Sequence, residues 1–190
     1  MRVVQPVLVI PGGVATEADV EVVNRASVLA QQWWETRNLD LLVYHLRPSA
    51  PVVVEDESYF FPPDWYVGTQ DATPWYAVWS LLPEWFPNGG RVPDEDIIWL
   101  VFLKSPPHDS GTWGWGGANL IVVDYNLVDM LPSATLEAIH TPGNLAMGII
   151  THEEAHTLGW EHPTTEENTL NFNSKQWPEV AIPLSFGDNL

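Results

Sequence analysis

Apolar and polar residues alternate along this chain with two different periods, and the switches between them mark the elements. Val7-Leu8-Val9-Ile10 is an unbroken apolar run closed by Pro11-Gly12-Gly13, the pattern of a buried strand ending in a turn. Thr16 then opens a helix, with Asp19 three residues on as an imperfect capping box. Val20, Val23, Ala26 or Ser27, Ala30 and Trp33 or Trp34 recur at helical spacing, which predicts a helix packed on a sheet. Leu41 to Leu46 and Val52 to Val54 read as strands, separated by Pro48 and Pro51. Ser58 to Pro93 is rich in Pro, Gly and aromatic residues and reads as an ordered insertion. Within it Thr73 as N-cap and Pro74 at the first helical position predict a short helix to about Leu82. Ile97 to Leu103 is the clearest buried strand, and Leu120 to Val123 is another, after the glycine-rich stretch Gly111 to Gly117. A last helix is expected from about Asn144 to Leu158, followed by largely irregular chain from Pro163 to Leu190. Strands with one helix between them and another after them make an α+β, or α/β-layered, domain.

Composition narrows the partners. With 190 residues, 45% of them hydrophobic and 11 of them Trp, a sizeable core in a single domain is within reach. Lys plus Arg number 7 against 25 Asp plus Glu, a formal charge of −18. Such a surface repels phosphate backbones and anionic lipid, so nucleic acid is not an expected partner. No apolar segment is long enough to span a bilayer, so membrane insertion is not expected either. The N-terminal apolar stretch around Val7 to Ile10 is too short for a signal peptide h-region. There is no cysteine, which excludes disulfides, thiol nucleophiles and thiolate metal sites.

The chemistry concentrates in His152-Glu153-Glu154-Ala155-His156-Thr157-Leu158-Gly159-Trp160-Glu161-His162. His152 and His156 are four apart on a predicted helix, so their imidazoles sit one above the other on one face. Two neutral imidazoles so placed can ligate a single Zn²⁺ at about 2.0–2.1 Å each. Glu153, beside the first of them, can reach a water on the metal without being a ligand. Gly159 can take the left-handed turn that ends a helix and sends the chain back beneath the metal, where His162 would supply a third nitrogen. Three protein ligands leave the fourth position open, the arrangement of a catalytic zinc rather than a structural one. A bare HExxH is weak evidence, since histidines and glutamates share helix faces without purpose. The longer pattern has a chance occurrence on the order of 10⁻⁵ to 10⁻⁴ in this composition, and three of the six histidines fall inside it, so the metal reading prevails.

HExxHxxGxxH is the signature of the metzincin clan of zinc metallopeptidases, which this chain resembles at His152, Glu153, His156, Gly159 and His162. The motif is specific and covers a small part of the chain. The resemblance implies a zinc-dependent endopeptidase that hydrolyses peptide bonds with one Zn²⁺ and its bound water, Glu153 acting as general base. It also implies a twisted, mostly parallel sheet with an antiparallel edge strand, the active-site helix, and a short irregular lower subdomain. On that basis residues 1–190 form one catalytic domain, with 1–162 the upper subdomain and 163–190 the lower, acting as a monomer on protein or peptide substrates; a secreted location is favoured by the resemblance. The substrate-aligning edge strand is expected at Gly117 to Val123, so Gly117, Ala118, Asn119 and Leu120 are candidate cleft residues. An ordinary buried strand after a glycine loop fits the same stretch. Metzincins carry a methionine in a turn beneath the metal, and here Met1, Met130 and Met147 all precede His162. Leu170, in Asn168-Thr169-Leu170-Asn171-Phe172, takes that place as an apolar residue of similar volume, with Phe172 where some subfamilies have Tyr. Leu170 and Phe172 join the candidate cleft.

Other candidates are weaker. Glu166, Glu167 or Glu179 as third ligand would make Gly159 and His162 redundant. Glu154 and Glu161 read as solvent-facing or as neighbours of the ligands. His108-Asp109 could hold a second ion, or be solvated loop; His45 and His140 read as structural. Glu55-Asp56-Glu57 and Asp94-Glu95-Asp96 read as charged turns; Ca²⁺ suits the acidic composition, but neither run has the spacing of a known calcium loop. Trp113 and Trp115 either line the cleft or pack in the core, core packing being preferred. Two rival functions share these residues: a zinc-binding module that recognises peptides without turnover, against which Glu153 speaks, and a zinc hydrolase of some other amide or ester.

Overall fold

In the computed structural model, residues 2–35, 42–44, 52–54, 56–62, 72–86, 97–104, 114–126 and 145–158 are described. The sheet is organised around β1 (Arg2–Pro11), longer than the apolar run that announces it. Helix α1 (Glu17–Glu35) follows, then two short strands, β2 (Leu42–Tyr44) and β3 (Val52–Val54). A single 3₁₀ turn at Glu57–Tyr59 is capped by the Asp56 carboxylate, which accepts from the Ser58 N–H, so the acidic run there is a charged turn as its sequence suggests. Helix α2 (Thr73–Trp85), β4 (Ile97–Leu103), β5 (Gly114–Gly117), β6 (Leu120–Asp124) and helix α3 (Leu145–Thr157) complete the elements among the described residues.

The six strands form one sheet in the order β2-β1-β4-β6-β5, with β3 beside β2 on the same edge of β1. Every pairing is parallel except β5 with β6. The central strands are apolar on both faces, as a sheet covered on both sides requires. Val4, Leu8 and Ile10 of β1, Ile98, Leu100 and Phe102 of β4, and Ile121 and Val123 of β6 face one core together with α1 and α3. The alternate residues Val7, Val9, Trp99, Val101, Leu103, Leu120 and Val122 face a second core with α2, Phe60 and Phe61. This is the mixed α/β layering that the pattern predicts. Each fully buried large aliphatic residue contributes about 1.5–3 kcal/mol, so the two cores dominate stability. No helix among the described residues is long and apolar enough to cross a membrane.

Two expectations are corrected. Helix α2 has Ala72, not Thr73, at its N-cap, and it runs on to Trp85 through Pro83. A proline lacks the amide that would bond back one turn, but Pro83 lies in the last turn, and the Phe86 N–H still reaches the Leu82 carbonyl at 3.0 Å. The burial of Ala77, Val78 and Leu82 outweighs the break. The antiparallel edge strand is Gly114–Gly117, not Gly117–Val123: Leu120–Asp124 is an interior strand, parallel to β4 and buried throughout. Three glycines in four residues carry no strand propensity, so the edge strand is read from sequence as a loop. Trp115 of that strand packs against the second core, as preferred.

Helix α1 is tied to the sheet at its start and to α3 at its end. Thr16 and Asp19 form a reciprocal cap: the Asp19 carboxylate accepts from the Thr16 N–H at 2.8 Å and its hydroxyl at 2.7 Å, while the Thr16 hydroxyl accepts from the Asp19 N–H at 3.2 Å. The same carboxylate accepts from the Tyr125 hydroxyl at 2.8 Å and from Lys104 at 3.2 Å, beyond the ends of β6 and β4. At the other end, the indole N–H of Trp34 donates to the Glu154 carboxylate at 2.6 Å, both side chains being fully buried.

Asp19 sets a pH dependence. Burial alone would raise its pKa, but the Thr16 hydroxyl and N–H, the Tyr125 hydroxyl and Lys104 favour the ionised form and bring it from 3.8 down to about 2. The unfolded chain therefore takes up a proton first, and stability that is fully present above 3.8 is lost as the pH falls toward about 2. Asp19→Asn is expected to lower stability at neutral pH and to flatten that acid limb, measured by urea unfolding at a series of pH values.

Candidate metal centre

Helix α3 presents the motif, and three contacts fix how it presents it. Ile150 and Ala155 are buried in the first core and Ile149 packs against it, which turns that face inward. Glu154 accepts the Trp34 bond from α1. Arg2 donates to the Thr157 carbonyl at 2.6 Å and to the Asn119 side-chain oxygen, joining the start of β1, the last turn of α3 and the β5–β6 turn. A cation is favourable there, since the final carbonyls of a helix carry partial negative charge.

His152 and His156 share the remaining face. His152 is buried and His156 half-buried. Their rings meet edge to face, 4.8 Å between centroids at 85°. The two Nε2 atoms lie 3.2 Å apart. Two nitrogens at about 2.0–2.1 Å from one tetrahedral zinc stand roughly 3.3–3.4 Å from each other by simple trigonometry. The pair therefore fits one ion bound through both Nε2 atoms; without an ion, the same distance is a hydrogen bond in which one neutral ring donates to the other.

Among solved structures, the chain is similar to an archaemetzincin. One match is to the crystal structure of archaemetzincin from Methanopyrus kandleri, at 15% identity and a TM-score of 0.39, over 90% of this chain and 82% of that one. So loose a likeness carries no inference about the site. No protein-family model matches the sequence, and no curated protein matches it.

Glu153 lies one residue along from His152, with its side chain against β5. The Gly116 N–H donates to its carboxylate. The residue as a whole is half-buried, while the carboxyl group is pressed so close to the strand that a Cβ on Gly116 would stand 2.6 Å from its Oε2. Loss of water around the carboxyl raises its pKa from 4.5 to about 8, against the lowering effect of the Gly116 donor.

The other sequence candidates divide. Glu154 is not solvent-facing: it is fully buried, because the Trp34 indole supplies a donor inside the core. Asn119 and Leu120 do not line an open cleft. Asn119 is 4% exposed and held by Arg2, and Leu120 is fully buried in the second core. Ala118 sits in the β5–β6 turn at φ 49°, and Gly117 ends the edge strand. Among the described residues no group of three His, Cys, Asp or Glu side chains is placed to hold a metal. The third nitrogen, His162, lies outside the described residues, as do Gly159, Glu161, Glu166, Glu167, Leu170, Phe172, Glu179, His45, His108, Asp109, His140 and Trp113. Sequence reasoning gave no role to Gly114 and Gly116, although their spacing of two, on one face of any strand, is visible in the sequence.

Two outcomes follow for the metal-free protein. The unfolded chain ionises Glu153 near 4.5 and the folded one near 8, so the folded state holds the extra proton between them and stability falls as the pH rises across that interval. Glu153→Gln is expected to remove that decline, seen as a flatter plot of unfolding free energy against pH in the presence of chelator. Added Zn²⁺ is expected to raise the melting temperature of the natural chain and to leave that of His152→Ala and His156→Ala nearly unchanged, measured by thermal unfolding.

Proposed function

We propose that this chain is a zinc-dependent endopeptidase, with His152, His156 and His162 holding the metal and Glu153 as general base. The observation that carries the reading is the 3.2 Å approach of the two Nε2 atoms on the helix that also bears Glu153. The proposal extends to the whole chain: residues 1–162 form the upper part of a single catalytic domain and 163–190 the lower, with Leu170 flooring the site and Phe172 part of the substrate cleft.

Zinc, when bound, supplies Lewis-acid chemistry, polarising a carbonyl and acidifying water. The protein's own part lies with Glu153 and β5. Glu153 accepts a proton from the water as its oxygen bonds to the scissile carbonyl carbon. It then returns that proton to the amine nitrogen as the C–N bond breaks, leaving a free amine and a carboxylic acid that carries the water's second proton. Burial raises the carboxyl's pKa in the metal-free protein, and the charge of a bound Zn²⁺ would oppose that rise and favour the ionised form that accepts the proton. The edge strand Gly114–Gly117 offers backbone groups to an extended peptide, which would add to the sheet beside β5. Its glycines leave the shelf nearly bare of side chains, so specificity falls to the walls around it.

The test is a quenched peptide library with and without chelator, alongside metal analysis. The proposal expects cleavage that chelator abolishes and zinc restores, and a fall in kcat of about 10²–10⁴-fold in Glu153→Ala with zinc still bound. Zinc retained with no peptide cleaved would favour a binding module. Hydrolysis of small esters or amides, without peptides, would favour the non-peptidase hydrolase.

A further inference from the structure

Three glycines in the four residues of β5 differ in what a side chain would meet. At Gly117 a Cβ would touch only Trp75, at 3.9 Å, an ordinary contact. At Gly114 it would meet the end of the Ile149 side chain at 2.8 Å and Glu153 Cγ at 3.1 Å. At Gly116 it would stand 2.6 Å from Glu153 Oε2, 2.7 Å from the Glu153 carbonyl oxygen and 3.0 Å from the Glu153 Cα. Side-chain ends can rotate away, but the carbonyl and Cα belong to the backbone of α3.

Neither backbone can give way easily. Gly116 is paired with Ile121 of β6, and β6 with β4 in the middle of the sheet. On the other side, α3 is held by the Trp34–Glu154 and Arg2–Thr157 bonds. Glycine is less favourable than alanine inside a strand, and it appears here where strand and helix approach within the radius of a methyl group. That approach also brings the Gly116 N–H to the Glu153 carboxylate, a hydrogen bond to a charged acceptor when Glu153 is ionised.

We infer that Gly116 is a positioning residue for Glu153: its N–H and its missing side chain together set where the carboxylate lies relative to the two Nε2 atoms. The inference rests on the peptidase reading for its consequence, but the contact itself does not. A carboxylate displaced by about 1 Å loses roughly 10²-fold in rate. Gly116→Ala is thus expected to lower kcat by about 10²-fold, with KM changed less than about threefold and one zinc still bound per chain. Gly114→Ala, whose new methyl meets backbone only at the ordinary 3.5 Å of the Val122 carbonyl oxygen and otherwise side-chain atoms, is expected to lose less than about tenfold.

A second arm keeps the contact testable if Gly116→Ala does not fold. Amide exchange of Gly116 in the full chain, resolved by NMR, is expected to be about tenfold faster in Glu153→Ala than in the natural protein, since one hydrogen bond is lost. Unchanged exchange overturns the inference, as does a folded Gly116→Ala with kcat within about threefold of the natural chain's. If the natural chain cleaves no peptide, the peptidase reading fails by itself, and the exchange measurement still decides whether Gly116 holds Glu153.

Discussion

Two imidazoles on successive turns of a helix hold an ion at one fixed place beside the sheet only if the helix cannot roll. A rotation of α3 by one residue would swing both rings together by about 100° from the direction in which they now face, and each neighbour of the helix opposes it. From beneath, Trp34 reaches across from α1 to bond the buried Glu154, so rolling would strand a carboxylate in an apolar core. At the last turn, Arg2 grips the Thr157 carbonyl. Along the flank, β5 lies so close that only glycine fits opposite Glu153. The helix is thereby fixed in rotation by a buried bond, in position along its axis by a guanidinium, and in depth by a strand without side chains.

The sheet explains why those neighbours are themselves immobile. Strands β1, β4 and β6 are buried on both faces, and the Asp19 cap ties the start of α1 to Tyr125 and Lys104 at their ends. Burial of this kind is non-directional and large; the few directed bonds between α1, α3 and the β5–β6 turn convert it into a single geometry for the histidine pair. The division of labour is general: apolar area supplies most of the free energy, and polar contacts, weak in net terms, select one arrangement.

The sequence pattern revealed the parts governed by local periodicity and concealed those governed by distant partners. β4 was legible to the residue because seven consecutive apolar positions admit little else, and α1 because its apolar stripe begins after a recognisable cap. The shared face of His152 and His156 follows from a spacing of four on a helix. The burial of Glu154 was not legible, since its partner Trp34 is 120 positions away. The edge strand was hidden for a different reason: its glycines are chosen by the approach of α3, a constraint in space that leaves no strand propensity behind. The N-cap of α2 was misplaced by one residue, and its end by three, because tertiary burial carries the helix past a proline that local rules treat as a stop.

The central claim is that one zinc ion is held by imidazole nitrogens. X-ray absorption at the zinc edge, on protein loaded with one equivalent of the metal, tests it most directly. The account predicts stoichiometric binding, a nitrogen and oxygen shell at about 2.0–2.1 Å, and outer-shell scattering that requires three imidazole rings. Binding without histidine scattering, or no binding at one equivalent, would contradict it.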